Sequence, residues 1–152
     1  MARESGVEMT TIAVRGREIA ADWESDFSNM RMGANKIFDV HDTLVGIAGN
    51  YTDGLLFIEW LRAGADRKNP PIWMTEKPDF VALQLCADGA IACWNERLVK
   101  DVVLEPFWAI GSGAPVAMGA MHMGASAERA VEIAALVNVY TGRHVQVVAL
   151  TD

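Results

Sequence analysis

Hydrophobic positions fall into short runs cut by Gly, Asp, Asn and Pro, and their rhythm passes from strand-like to helical and back. Thr10 to Val14 is short and β-branched, Arg15-Gly16-Arg17 reads as a turn, and Glu18 to Asp22 as the returning strand. Lys36 to His41 carries Ile37, Phe38 and Val40, and Thr43 to Ala48 is a continuous apolar run, a buried strand ending at Gly49-Asn50. Thr52 or Asp53 then suits the cap of a helix through Leu55, Leu56, Ile58, Trp60 and Leu61 to about Ala63, with Gly64 as its stop. From Asp66 to Asp79 the chain holds Pro70, Pro71 and Pro78, too many breaks for a long helix.

Phe80 to Ala87 and Ala90 to Trp94 predict a hairpin about Asp88-Gly89. A two-residue turn there sets Cys86 opposite Ile91, with Cys93 on the same face one pair further along, roughly 7–8 Å away. That exceeds disulfide geometry, so both thiols are expected reduced and buried. Trp108 to Ile110 leads into Gly111-Ser112-Gly113, and Pro115 opens a short helix ending near Gly124. Ser126 suits the cap of a second helix, from Ala127 to about Tyr140, and Val145 to Leu150 is a closing strand. Hairpin-linked strands with helices packed outside predict an α+β layered domain of largely antiparallel sheets.

Charge narrows the choice of partners. Thirteen Lys and Arg against twenty Asp and Glu give a net charge of −7, which argues against nucleic-acid and anionic-membrane surfaces. No apolar run reaches the ~18 residues of a membrane span. The opening MARESGVEM lacks the apolar stretch of a secretory signal, so a cytoplasmic location is expected. Metal chemistry finds little support: His41, His122 and His144 are scattered, and Asp22, Glu24 and Asp26 do not continue into an EF-hand loop. Met118, Met121 and Met123 suit a core or a subunit contact better than a metal.

Several blocks, in order, carry a resemblance: Met9-Thr10-Thr11-Ile12-Ala13-Val14, Ile19-Ala20-Ala21-Asp22, Asn35-Lys36-Ile37, Val45-Gly46-Ile47-Ala48-Gly49, Ala109 to Pro115, and Tyr140-Thr141-Gly142. Together they resemble the proteasome β-subunit and HslV protease family of N-terminal-nucleophile (Ntn) hydrolases. The resemblance implies a four-layer αββα sandwich of antiparallel sheets. The family has a second long helix where this chain has its proline-broken stretch, so one helical layer is expected to be reduced.

The resemblance also implies a threonine protease in which Thr10 is the nucleophile and its own α-amine the base. A free α-amine ordinarily titrates at ~7.7–8.0, near enough to neutral for that task. Lys36 matches the lysine whose charge tunes the nucleophile, Asp22 its acidic partner, and Ser112 the serine that positions the amine. Gly46 falls at the oxyanion position, and Leu44, Ala48 and Ser25 at substrate-facing positions. Asn138 and Thr141 are the nearest matches to a further acid and serine. No metal or organic cofactor is implied.

The expected substrate is a peptide or unfolded protein, degraded inside a homo-oligomeric ring. The chain contains no Gly-x-x-x-x-Gly-Lys-Ser/Thr motif, so ATP-driven unfolding would belong to a separate partner. Residues 1–9 are read as an extension or removed leader, with Met9 as the true start, and 10–152 as one Ntn-hydrolase domain. The apolar helix from Pro115 to Gly124 is expected to be buried on a second side by another subunit. Two other readings are a non-catalytic scaffold that keeps the fold, and an Ntn amidohydrolase acting on a small amide.

Overall fold

The computed structural model describes residues 10–27, 30–73, 76–137 and 144–151, with the backbone alone for 24–27 and 30–33. The leader, the Met9 start, Asn138, Tyr140 and Thr141 lie outside the described residues.

Strands β1 (Thr11–Arg15) and β2 (Glu18–Asp22) form the expected hairpin. β10 (Phe107–Gly111) pairs with the other edge of β1, and β11 (Val145–Ala149) with the other edge of β2. A second sheet is an antiparallel meander of β5 (Ile37–Val40), β6 (Thr43–Gly49), β7 (Phe80–Leu85), β8 (Ile91–Asn95) and β9 (Lys100–Val103). A two-stranded ribbon, β3 (Glu24–Phe27) with β4 (Met30–Gly33), stands apart from both. The sequence pattern missed this ribbon and β9, whose Lys100, Asp101 and Val102 are all exposed and do not alternate against a core.

Two-residue periodicity sorts side chains into layers. Ile12, Val14, Ile19 and Ala21 of the first sheet meet Leu44, Ala48, Leu83 and Leu85 of the second in the inter-sheet core. The opposite face of the first sheet shows Ala13, Ala20 and Ala109, small enough for α2 (Ala114–His122) and α3 (Ala127–Val137) to pack closely through Ala117, Met121, Ala130 and Ala134. Ser126 caps α3, its Oγ accepting from Arg129 N at 3.1 Å.

The outer face of the second sheet carries one helix, α1 (Tyr51–Arg62). Its cap is Asn50, whose side chain accepts from Asp53 N at 3.0 Å, so the helix begins earlier than a cap at Thr52 or Asp53 would place it. Phe57 and Trp60 of α1 gather against Phe80 and Trp94, with Phe57 4.9 Å from Phe80 and 5.3 Å from Trp94. No further helix lies between α1 and β7 among the described residues. Trp73 from that stretch packs on Phe80 at 5.5 Å instead. The sandwich is thus αββα with one helical layer reduced.

The β7–β8 loop departs from expectation. Cys86 N donates to Ala90 O and Gly89 N to Cys86 O, both at 2.8 Å, which makes a three-residue loop with Gly89 at φ +90°. Leu85 therefore faces Ile91, and Cys93 faces Leu83. This one-residue change in register turns Cys86 to the face opposite Cys93. Both thiols are free and half-buried. Burial first, and Asp101 second, push the Cys93 thiol up to about 11.

Candidate active site

Thr10 directly precedes β1 and is 4% exposed. By alternation it shares a side with Ile12 and Val14, toward the gap between the sheets. Its carbonyl oxygen is anchored from β10, accepting from Ser112 N at 2.8 Å and from Ser112 Oγ at 3.4 Å. Gly111 makes that anchor possible. It adopts φ +97°, and a Cβ there would lie 1.9 Å from Thr10 O, so only glycine fits.

Asp22 ends β2 and is fully buried. One carboxylate oxygen accepts from Thr11 N at 2.8 Å, the other from Lys36 Nζ at 3.0 Å. Lys36, just before β5, is 2% exposed. A buried ion pair loses much of its Coulomb attraction to desolvation, so an apolar pair would serve stability as well. The pair lies beside a buried threonine, Lys36 and Thr10 lining the same notch.

A hydrogen-bonded frame orients Lys36. Its N–H donates to Gln146 Oε1 at 3.4 Å, and its carbonyl accepts from Ile47 N at 2.9 Å. The Gln146 amide donates to Asn35 Oδ1 at 2.5 Å, and the Tyr51 hydroxyl to Asn35 O at 2.8 Å. Burial raises the Tyr51 pKa above its ordinary 10.0, which keeps that hydroxyl a donor. Asn35, Tyr51 and Gln146 were invisible as site residues in the sequence, since isolated polar residues carry no spacing signal.

Thr10 and Lys36 share a narrow notch of about 10 Å³ with Ile47, Ala48, Gly49, Asn50 and Tyr51. A second cavity of about 490 Å³ opens on the Ser112 side, lined by Asp79, Phe80, Val81, Asn95, Glu96 and Gly111 as well as the shared Ala48 and Gly49. Ala48 thus borders both spaces. Ser25 lies on β3 opposite Met32, and its side chain is outside the described residues.

Two expected positions on β6 do not reach the site. Leu44 is buried in the inter-sheet core, four residues before Ala48 and roughly 13 Å back along the strand. A Cβ on Gly46 would meet Ile12 Cγ2 at 2.6 Å, so Gly46 is a close-packing point between sheets. Nor is its N–H available. Asn50 N points to Asp79 O on the β7 side and Ile47 N to Lys36 O on the β5 side. Alternation then directs the Gly46 N–H into the β6–β7 ladder.

The same alternation aims the Gly49 N–H toward the β5 side, past the last β5–β6 hydrogen bond, on the wall it shares with Thr10. Gly49 has φ +93°. Ile47 and Gly49, three residues along β6 from Leu44 and Gly46, line the notch with Thr10.

Among the described residues, no group of three or more His, Cys, Asp and Glu could hold a metal ion. His41 contacts Arg62 O at 2.9 Å, and His122 stacks edge-on against Phe107. No helix among the described residues is long and apolar enough to cross a membrane.

No family model and no curated sequence matches the chain. Solved structures do. The chain superimposes on Thiobacillus denitrificans BPH in complex with epoxomicin with a TM-score of 0.66 and 22% identity, covering 94% of this chain and 99% of that one. It superimposes on the eukaryotic HslV of Trypanosoma brucei with a TM-score of 0.70 and 18% identity, covering 93% and 99%. The fold is that of these HslV-like structures, over nearly the whole chain.

Proposed function

We propose that the chain is a threonine peptidase of the HslV and proteasome β-subunit kind, with Thr10 as its nucleophile. The observation that carries this reading is the buried Lys36–Asp22 pair, 3.0 Å long, set beside a threonine at the start of β1 whose carbonyl is held by Ser112. The epoxomicin complex of the Thiobacillus protein supports it.

Once the residues before Thr10 are removed, the new α-amine takes the proton from the Thr10 hydroxyl as Oγ attacks the substrate carbonyl carbon. The oxyanion that forms accepts from the Gly49 N–H. The amine returns its proton to the departing amine, the peptide bond breaks, and water then hydrolyses the ester left on Oγ. Lys36, with Asp22 fixing its position, supplies positive charge beside the developing alkoxide.

On the same reading the protein works in the cytoplasm as a homo-oligomeric ring, fed by a separate ATP-driven unfoldase. The outward side of α2 is its candidate contact surface, with Met118 half-buried and Met123 89% exposed. Met121 does not belong to that surface, because it is 1% exposed against the first sheet and α3.

The test is mass spectrometry of protein processed to begin at Thr10, after incubation with a peptide epoxyketone. We expect one adduct on Thr10, absent from Thr10→Ala. A correctly processed, folded chain that takes no adduct would favour the scaffold reading.

A further inference from the structure

The spaces on the two sides of the Ala48–Gly49 backbone are unequal. On the Lys36 side the notch holds about 10 Å³, whereas the cavity on the Ser112 side measures about 490 Å³, room for a long side chain. The two share the Ala48–Gly49 backbone, so a peptide lying across Gly49 would reach from one into the other. The larger cavity sits at the open end of the sandwich, where the end of β6, the start of β7 and the end of β8 face the end of β10.

Its walls combine one aliphatic side chain with acidic sides. Val81 supplies apolar surface, Asn95 a neutral polar group, and Asp79 and Glu96 two carboxylates, with no Lys or Arg among the described lining residues. The Phe80 ring is turned to the other face of β7, against Phe57 and Trp73. Among the described residues neither carboxylate oxygen pair has a hydrogen bond or an ion pair. The Asp79 backbone is fixed at both ends, its N–H donating to Asp53 Oδ2 at 3.0 Å and its carbonyl accepting from Asn50 N at 2.8 Å. Asp79 thus starts from a rigid position. The nearest catalytic polar group, Ser112, is committed to Thr10 O and does not neutralise the acids.

An open-sided cavity with two exposed, unpaired carboxylates beside an aliphatic side chain has the chemistry to accept a long cationic side chain. The methylene stem would lie on Val81 while the head meets Asp79 and Glu96. We propose that this cavity is a specificity subsite for a Lys or Arg side chain of the substrate, next to the scissile bond on the Ser112 side. The proposal rests on the peptidase reading above. Asp79 and Glu96 are its specificity determinants and take no part in bond breaking.

The experiment uses processed full-length protein and matched, internally quenched peptides that carry Lys, Arg, Gln or Glu at each position flanking the cleaved bond. We expect Lys and Arg to exceed Glu in kcat/KM by about tenfold at one flanking position, a preference that shrinks as NaCl rises. Asp79→Asn and Glu96→Gln should each reduce that ratio, and Glu96→Lys should invert it. Circular dichroism of each variant separates misfolding from lost selectivity. A charge preference that is absent, or unchanged in all three folded variants, overturns the subsite while leaving the peptidase intact. Failure to cleave any peptide, with no epoxyketone adduct on Thr10, overturns both.

Discussion

The two sides of Thr10 are built on different principles. On the Lys36 side, side chains do the holding: Asp22, Gln146, Asn35 and Tyr51 form a continuous set of hydrogen bonds around a notch with almost no free volume. On the Ser112 side the backbone does it, through Gly111 and the Ser112 N–H, and the space beyond is wide. On the peptidase reading the chemistry needs a fixed charge, and Lys36 is held at its head by Asp22 and along its backbone by Gln146 and Ile47. Substrate entry needs room, and a backbone anchor leaves room because it projects nothing into the cavity. On the peptidase reading, the rigid half would set rate and the open half choice of substrate.

The largest expected effect comes from disrupting the rigid half. Lys36→Ala should lower peptide hydrolysis by several orders of magnitude, since it removes the tuning charge and leaves the buried Asp22 without its ammonium partner. Lys36→Arg should fail nearly as badly, because a planar guanidinium does not fit a notch of this size. Kinetics of the two processed variants check this, and high activity in Lys36→Arg would show that the notch does not constrain the cation.

The next effect strikes the backbone anchor. Gly111→Ala should cost both stability and at least about a hundredfold in kcat, since displacing Thr10 by even ~1 Å spoils attack geometry. Gly89→Ala is the matched control. Its φ is also positive, at +90°, but a Cβ there meets nothing within 4 Å, so only backbone strain is added. Thermal melts and activity of the pair separate strain from collision, and similar losses in both would remove Gly111 from the site.

The smallest effect lies in the outer frame of the rigid half. Tyr51→Phe removes one donor to Asn35 O and should reduce kcat/KM by about tenfold or less. Burial raises the Tyr51 pKa above 10.0. A raised value means that more than half of the hydroxyl's contribution survives at pH 10 and that it fades as pH climbs through the higher folded value. The excess of wild-type over Tyr51→Phe activity should therefore keep more than half of its neutral-pH size at pH 10. An excess already halved below pH 10 would show that the hydroxyl ionises no later than its ordinary value and does not frame Lys36.

The layered sandwich was legible because apolar runs with period two leave few arrangements, and so was the reduced helical layer, because Pro70, Pro71 and Pro78 forbid a long helix. Thr10, Asp22, Lys36 and Ser112 were reachable through the family resemblance, and the structure gathers them at one place. Two positions on β6 were misplaced for a plain reason. The run Thr43 to Gly49 contains glycines at 46 and 49, and nothing local says which one packs against Ile12 and which one ends the strand at positive φ. The opposing sheet decides that. The β7–β8 loop failed similarly, since Asp88-Gly89 fits both a two-residue and a three-residue turn, and the choice swaps the faces of a cysteine.

On the peptidase reading, Asp22 also governs when the chain becomes dangerous. Its two oxygens bind Thr11 of the first sheet and Lys36 at the threshold of the second. Neither sheet alone possesses a reactive centre, so a nascent or half-folded chain carries a threonine with no activating charge near it. On that reading competence requires both the removal of the residues before Thr10 and the closing of the two halves on each other. The ion pair would then act as a checkpoint, tying cutting power to completed folding.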